Sequence, residues 1–251
     1  MRNPQFLPTK SGRSIAYHHC AGQGPGVVFL GGLRSDMSGS KAMFLQDWAK
    51  RTGRAFLRFD YSGHGQSSGQ FQDGAISDWL EDAVAALGLT TGPQILVGSS
   101  MGGWIALLLA RTMPDRLAGL VGVAAAPDFT EDGMWAGFDE PQRRQLSETG
   151  YVVLKSDYSD EPTVITRRMI EDGRTHLVLR TPLHLPFPTR LLQGTDDLDV
   201  PASVAIALLS HVQGADIQLN LVKGADHRFS TQDCLEMIGA AIADVTERPG
   251  R

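Results

Sequence analysis

Residues Gly98-Ser99-Ser100-Met101-Gly102 place a serine between glycines two before and two after it. One apolar run, Gln94 to Val97, ends there, and another, Met101 to Met113, begins. A serine at a sharp strand-to-helix turn is held in a strained backbone with its hydroxyl exposed. The flanking positions are crowded, which favours glycine. The helix that follows aims unpaired N–H groups and a partial positive charge at any oxyanion forming on the substrate. Ser100 is therefore the candidate nucleophile, and the N–H of Met101 a candidate oxyanion donor. Ser99 lies beside Gly98 and reads as a small packing residue. The competing chemistries are poorly supplied. The chain has no G-x-G-x-x-G opening a helix and no GK[ST], and Gly22 to Gly26 precedes a strand, so it aims no helix at a phosphate. There is no HExxH and no cysteine cluster, and the adjacent His18 and His19 face opposite sides of a strand, so no metal is expected.

A serine hydroxyl needs a general base, and the base an orienting acid. In sites built on such a turn the chain order is nucleophile, acid, histidine. Of the seven histidines, His227 in Gly224-Ala225-Asp226-His227-Arg228-Phe229 lies beyond Ser100 in a loop at the carboxyl end of a strand. His64, in Asp60-Tyr61-Ser62-Gly63-His64-Gly65, precedes the serine and reads as a turn or pocket-wall residue. The acid belongs after the preceding strand, where Gly194-Thr195-Asp196-Asp197-Leu198-Asp199-Val200-Pro201 offers three carboxylates. Asp197, third after the turn glycine, is favoured over Asp196. Asp199, near Pro201, suits a helix N-terminus, and Asp128 at an earlier strand end is the fallback. A second oxyanion donor is expected from Gly31-Gly32-Leu33, whose glycines let backbone approach a ligand; Leu33 N–H is the candidate.

Loops of one sheet edge must bring these residues together. Ser14–Cys20 and Gly26–Leu30 read as strands, with a turn at Lys10–Arg13 suggesting a hairpin before them. Further strands are expected at Ala55–Phe59, Gln94–Val97, Leu117–Ala125, Thr189–Leu192 and Ile217–Val222. Helices are expected at Ser40–Arg51, Ile76–Leu87, Met101–Met113, Ala202–Val212 and Thr231–Val245. Such alternation implies a mostly parallel sheet covered on both faces. Residues 128–187 break it, with charges, aromatics and prolines, and with helices expected at Glu140–Thr149 and Pro162–Asp172. They read as a lid or cap inserted over the carboxyl edge, leaving 1–127 and 188–251 as the core. Met134, Trp135, Phe138, Leu183, Leu185 and Phe187 are candidates for an acyl pocket or for packing that insertion onto the sheet. Arg167 and Arg168 read as a solvated helix face.

The bulk numbers are ordinary for a soluble globular protein. The chain has 251 residues, 42% hydrophobic and 20% charged, with a net charge of −5. That gives no electrostatic footprint for nucleic acid or an anionic membrane. Cys20 and Cys234 read as two thiols in a reducing compartment. There is no secretory h-region at the N-terminus and no apolar stretch long enough for a membrane span, so the expected location is cytoplasmic.

Taken together, LGGL at 30–33, FDYSGHGQSSG at 59–69, GSSMGG at 98–103, GTDDLDVP at 194–201 and GADHRF at 224–229 resemble the α/β-hydrolase superfamily. The resemblance implies an eight-stranded, mostly parallel sheet with helices on both faces and the insertion between the sixth and seventh strands. The superfamily's G-x-x-D-x-x-V-P acid pattern falls on Asp197, and its D-H pattern before an aromatic falls on His227. Many members carry H-G where this chain has Gly31-Gly32; since the donor there is a backbone N–H, the oxyanion site survives. A narrower resemblance, carried by FDYSGHGQSSG, GPQILVGSSMGGW, RLLQGTDDLDVP and ADHR, is to mitochondrial acyl-protein thioesterases that also cleave acyl glucuronides. It implies cofactor-free hydrolysis of small-molecule esters or thioesters, or of acylated protein. The same triad also serves acyltransferases and lyases, and the same fold serves small-molecule receptors.

Overall fold

Continuous Val/Ile/Leu runs alternating with amphipathic segments build one sheet in the computed structural model, which describes residues 3–155 and 162–248. The part of the expected insertion at 156–161 lies outside the described residues. Strands β1 (Gln5–Pro8) and β2 (Ser14–Cys20) form the expected antiparallel hairpin, with Gln5 opposite Tyr17. The chain continues through β3 (Gln23–Leu30), β4 (Arg54–Phe59), β5 (Gln94–Ser99) and β6 (Leu117–Val123). After them come β7 (Tyr151–Leu154), β8 (Thr163–Thr166), β9 (Leu183–His184), β10 (Thr189–Gly194), β11 (Val212–Gln213) and β12 (Ile217–Val222). Eight strands make one sheet in the order β1-β2-β4-β3-β5-β6-β10-β12. From β4 to β12 every pairing is parallel, so the carboxyl ends of these strands share one edge.

Period-two alternation along each strand splits the core in two. Val28, Leu30, Leu57, Phe59 and Leu96 face one layer with α2 (Ile76–Leu87) and α3 (Met101–Thr112). Val27, Phe29, Phe56, Ile95 and Val97 face the other, under α1 (Ser40–Thr52) and the C-terminal helix at Gln232–Glu247. Gly53, at φ 69°, ends α1, the left-handed cap glycine tolerates best.

Between β6 and β10 the chain forms a π-helical turn (Thr130–Trp135), α4 (Glu140–Thr149), the β7–β8 hairpin and α5 (Arg167–Arg174). Helix α4 has the expected bounds, opened by a capping box of Asp139 and Gln142. The helix expected at Pro162–Asp172 is corrected. The β-branched run Thr163-Val164-Ile165-Thr166 pairs with Tyr151–Leu154 instead, because branched side chains suit a pleated strand better than a helix. Thr166 then accepts the Met169 N–H and caps α5. Two further helices, α6 (Ala202–His211) and α7 (Gln232–Glu247), complete the core.

This segment lies on α3. Every residue of α3 from Met101 to Ala110 is buried, as expected of a helix apolar on all sides. Trp104 Nε1 donates to His176 O at 3.2 Å, and Arg111 donates to Leu177 O at 2.9 Å. The Asp128 carboxylate accepts the N–H groups of Val178 and Leu179 at 2.7 and 3.0 Å.

Candidate active site

Strand β5 delivers the chain into a turn whose apex is Ser100, at φ 54° and ψ −119°. A non-glycine residue held there costs about 1–3 kcal/mol and persists only when its surroundings fix it. Its N–H donates to Val123 O at 3.0 Å, and its carbonyl accepts the N–H groups of Gly103 (2.9 Å) and Ala126 (3.1 Å). The crowding expected around it is present. A Cβ on Gly98 would meet Gly102 O at 2.4 Å, and one on Gly102 would meet Leu30 O at 2.1 Å. The turn is therefore pressed against both its own helix and the end of β3.

The loops after β10 and β12 lie side by side because those strands are parallel neighbours, with Gly194 level with Val222. Thr195 N–H donates to Val222 O and Asp196 N–H to Ala225 O, both at 3.0 Å. These bonds bring Asp197 against His227. His227 Nδ1 lies 2.9 Å from Asp197 Oδ2 and 3.1 Å from Oδ1. His227 Nε2 lies 3.1 Å from Ser100 Oγ. Serine, histidine and aspartate thus form one hydrogen-bonded chain across the carboxyl edge.

Asp197 is 5% exposed. Burial alone would raise its carboxyl pKa, but bonds from His227, the Val200 N–H and the Gln193 amide outweigh it, and the group sits below its ordinary value. It is a carboxylate at neutral pH. Oδ1 also accepts the Asp199 and Val200 N–H groups at 3.0 and 2.8 Å, while Oδ2 accepts Gln193 Nε2 at 2.9 Å. Its rivals stand elsewhere: Asp196 is exposed, and Asp128 is committed to Val178 and Leu179. One donor each from Asp197, Asp199 and His227 lies within 4.8 Å of the others. An ion there would have to displace the N–H donors and the imidazole that already occupy both Asp197 oxygens.

The loop after β3 approaches from the other side. A Cβ on Gly32 would lie 3.3 Å from Ser100 Cβ, so Leu33 follows a backbone in contact with the nucleophile. Two buried charged residues support this loop, and they were missed as site residues. Asp60 accepts Met37 N–H at 2.6 Å and Gln66 N–H at 2.8 Å, and Arg58 donates to Met37 O and to Gln46. In the sequence they stand as an arginine inside the strand Arg54–Phe59 and an aspartate just past its end. His64 is buried, 4% exposed, bonded through Nδ1 to Ser62 O and packed edge-on against Tyr61, Phe71 and Trp79.

The acyl-pocket candidates divide by exposure. Leu183, Leu185, Phe187 and Phe138 are buried in the cluster that holds Met101 and Trp104. Met134 and Trp135 are partly buried against it, with Arg143 and Arg174 over the Trp135 ring at 5.1 and 4.8 Å. Arg168 is an ion-pair residue, 2.7 Å from Asp78, and Arg167 donates to Ser147 O.

Sheet order, helices on both faces and loops converging at the carboxyl edge define an α/β hydrolase. Residues 27–245 match the alpha/beta hydrolase family, and the chain belongs to that family. Within it, the chain is 32% identical over 248 residues to the mitochondrial palmitoyl-protein thioesterase ABHD10 of Bos taurus, spanning 97% of this chain and 80% of the relative. Over 245 residues it is 32% identical to the Homo sapiens protein of that name. Among solved structures, a putative hydrolase from Agrobacterium vitis S4 superposes with TM-score 0.92 at 40% identity, covering 96% of this chain and 97% of that one. Mouse alpha/beta hydrolase domain-containing protein 10 superposes with TM-score 0.90 at 30% identity, covering 98% and 99%. The curated relatives are named mitochondrial, which lends no support to a cytoplasmic location. Among the described residues no helix is long and apolar enough to cross a membrane.

Proposed function

We propose that this chain hydrolyses carboxylic esters or thioesters through an acyl-enzyme on Ser100. The reading rests on one observation: the continuous contact of Ser100 Oγ, His227 Nε2, His227 Nδ1 and Asp197. Ser100 Oγ attacks the acyl carbonyl while His227 Nε2 takes its proton. Asp197 holds the imidazole tautomer and stabilises the imidazolium. The Leu33 and Met101 N–H groups receive the oxyanion, each contributing on the order of 3 kcal/mol to the transition state. The tetrahedral intermediate collapses, the alcohol or thiol leaves with the histidine's proton, and water repeats the sequence on the acyl-enzyme.

Kinship with palmitoyl-protein thioesterases supports the substrate class: a thioester or ester of an apolar acyl group, on a small molecule or a protein. Residues 128–187 act as the cap over the site, and Met134 and Trp135 line the acyl pocket, with Phe138, Leu183, Leu185 and Phe187 packing behind them. The test is a panel of p-nitrophenyl esters and acyl thioesters of graded length, run on the wild type and on Ser100→Ala. Turnover of both ester types by the wild type, lost in the variant, is expected. Turnover retained by the variant overturns the assignment. Acyl transfer to an added alcohol in place of hydrolysis makes the chain a transferase.

A further inference from the structure

Arg34 follows Leu33 directly and takes a left-handed backbone at φ 57°. That is an uncommon conformation for a residue with a long side chain. Its side chain reaches the insertion: Nη1 donates to Pro162 O at 2.9 Å and to Thr163 Oγ1 at 2.8 Å. On the way it passes the Phe71 ring, with the guanidinium carbon 5.8 Å from the centroid. Phe71 belongs to the 3-10 turn Phe71–Asp73 that contacts β8. One side chain therefore joins the loop after β3, the turn after His64 and the first residues of β8.

The loop carrying Leu33 is anchored at two points, both after Leu33 in the chain. Four residues on, Met37 is fixed to the sheet by Asp60 and Arg58. Directly after Leu33, Arg34 links the loop to the insertion. Leu33 is therefore the immediate chain neighbour of the link to the insertion. We propose that Arg34 is a positioning residue that clamps the β7–β8 hairpin to this loop, so that the Leu33 N–H reaches its working position while the hairpin is docked. The inference rests on the Ser100 reading and adds to it that oxyanion stabilisation depends on the insertion.

A small fluorophosphonate tests this, because phosphonylation of Ser100 needs the oxyanion site and no acyl pocket. A displaced oxyanion donor costs about 10²-fold, so Arg34→Ala is expected to react with the probe roughly 10- to 100-fold more slowly. kcat on p-nitrophenyl acetate should fall alike while KM stays within about threefold, since only the transition state loses an interaction. Thr163→Val removes one acceptor and leaves the Pro162 carbonyl, so a loss of about two- to fivefold is expected, and the double variant should be no slower than Arg34→Ala, as for residues acting through one contact. Wild-type reactivity in a folded Arg34→Ala, or losses that multiply in the double variant, overturns the proposal. If Arg34→Ala does not fold, Thr163→Val decides: wild-type phosphonylation overturns the clamp. The Ser100 reading fails differently, through a wild-type protein that the probe does not label.

Discussion

Replacing Asp197 with Asn keeps the shape of the acid and inverts the logic of its bonds. Oδ1 accepts two backbone N–H groups, from Asp199 and Val200, so the amide of the variant keeps its oxygen there. Its NH₂ then takes the place of Oδ2, which lies 2.9 Å from both His227 Nδ1 and Gln193 Nε2. A donor facing Nδ1 makes that nitrogen the acceptor and moves the ring proton to Nε2, 3.1 Å from Ser100 Oγ. The imidazole then points a proton at the serine and cannot take one from it. A wrong tautomer of this kind lowers kcat by about 10⁴, equivalent to about 5.5 kcal/mol of transition-state stabilisation. Two donors facing each other at Gln193 add a stability loss of about 1–3 kcal/mol. Steady-state hydrolysis of a short p-nitrophenyl ester, with thermal unfolding as control, measures both. Asp196→Asn, one residue away and exposed, should stay within about twofold of wild type, as surface substitutions do. A kcat for Asp197→Asn within tenfold of wild type would refute this reasoning.

Other substitutions probe the scaffold. In Gly102→Ala the new methyl would lie 2.1 Å from Leu30 O and 2.6 Å from Gly31 O, both backbone atoms. Overpacking there should cost about 3 kcal/mol or more and most of the activity, whereas Gly137→Ala, with nothing within 4 Å, should leave both unchanged; equal melting temperatures would count against the close approach. Lys41 donates to Arg228 O next to His227, and burial pushes its ammonium from 10.5 down to about 8, against the pull of Asp226. Between those two values the unfolded chain binds more protons than the folded one, so stability rises with pH, by up to about 3 kcal/mol from this group. Comparing urea unfolding of the wild type and Lys41→Met at pH 7.5 and pH 10 should show that increment in the wild type and not in the variant; parallel pH dependence would show that Lys41 titrates normally.

The strands of the main sheet were legible because their apolar runs are short, β-branched and bounded by turn residues, whereas the short strands β7, β8, β9 and β11 were not. Gly98 to Gly102 was legible because crowding leaves few other residues for those places. His227 and Asp197 were expected from chain order, from their loops and from the resemblance carried by GTDDLDVP and GADHRF. What the sequence hid is long-range. Asp128 looked like a spare acid at a strand end, and only its bonds to Val178 and Leu179 show it holding the insertion. At 162–166 the helix expected over Pro162–Asp172 covered a run whose local preference is strand. Arg58 and Asp60 carry no spacing signal that tells a support for a loop from an ordinary buried ion.

The most direct measurement is the intact mass of the protein after brief exposure to a fluorophosphonate, followed by peptide mapping. One adduct per chain, located on Ser100, absent from Ser100→Ala and formed far more slowly by His227→Ala, is the expected result. An adduct on another residue, or equal labelling of His227→Ala, would contradict a serine activated by that histidine.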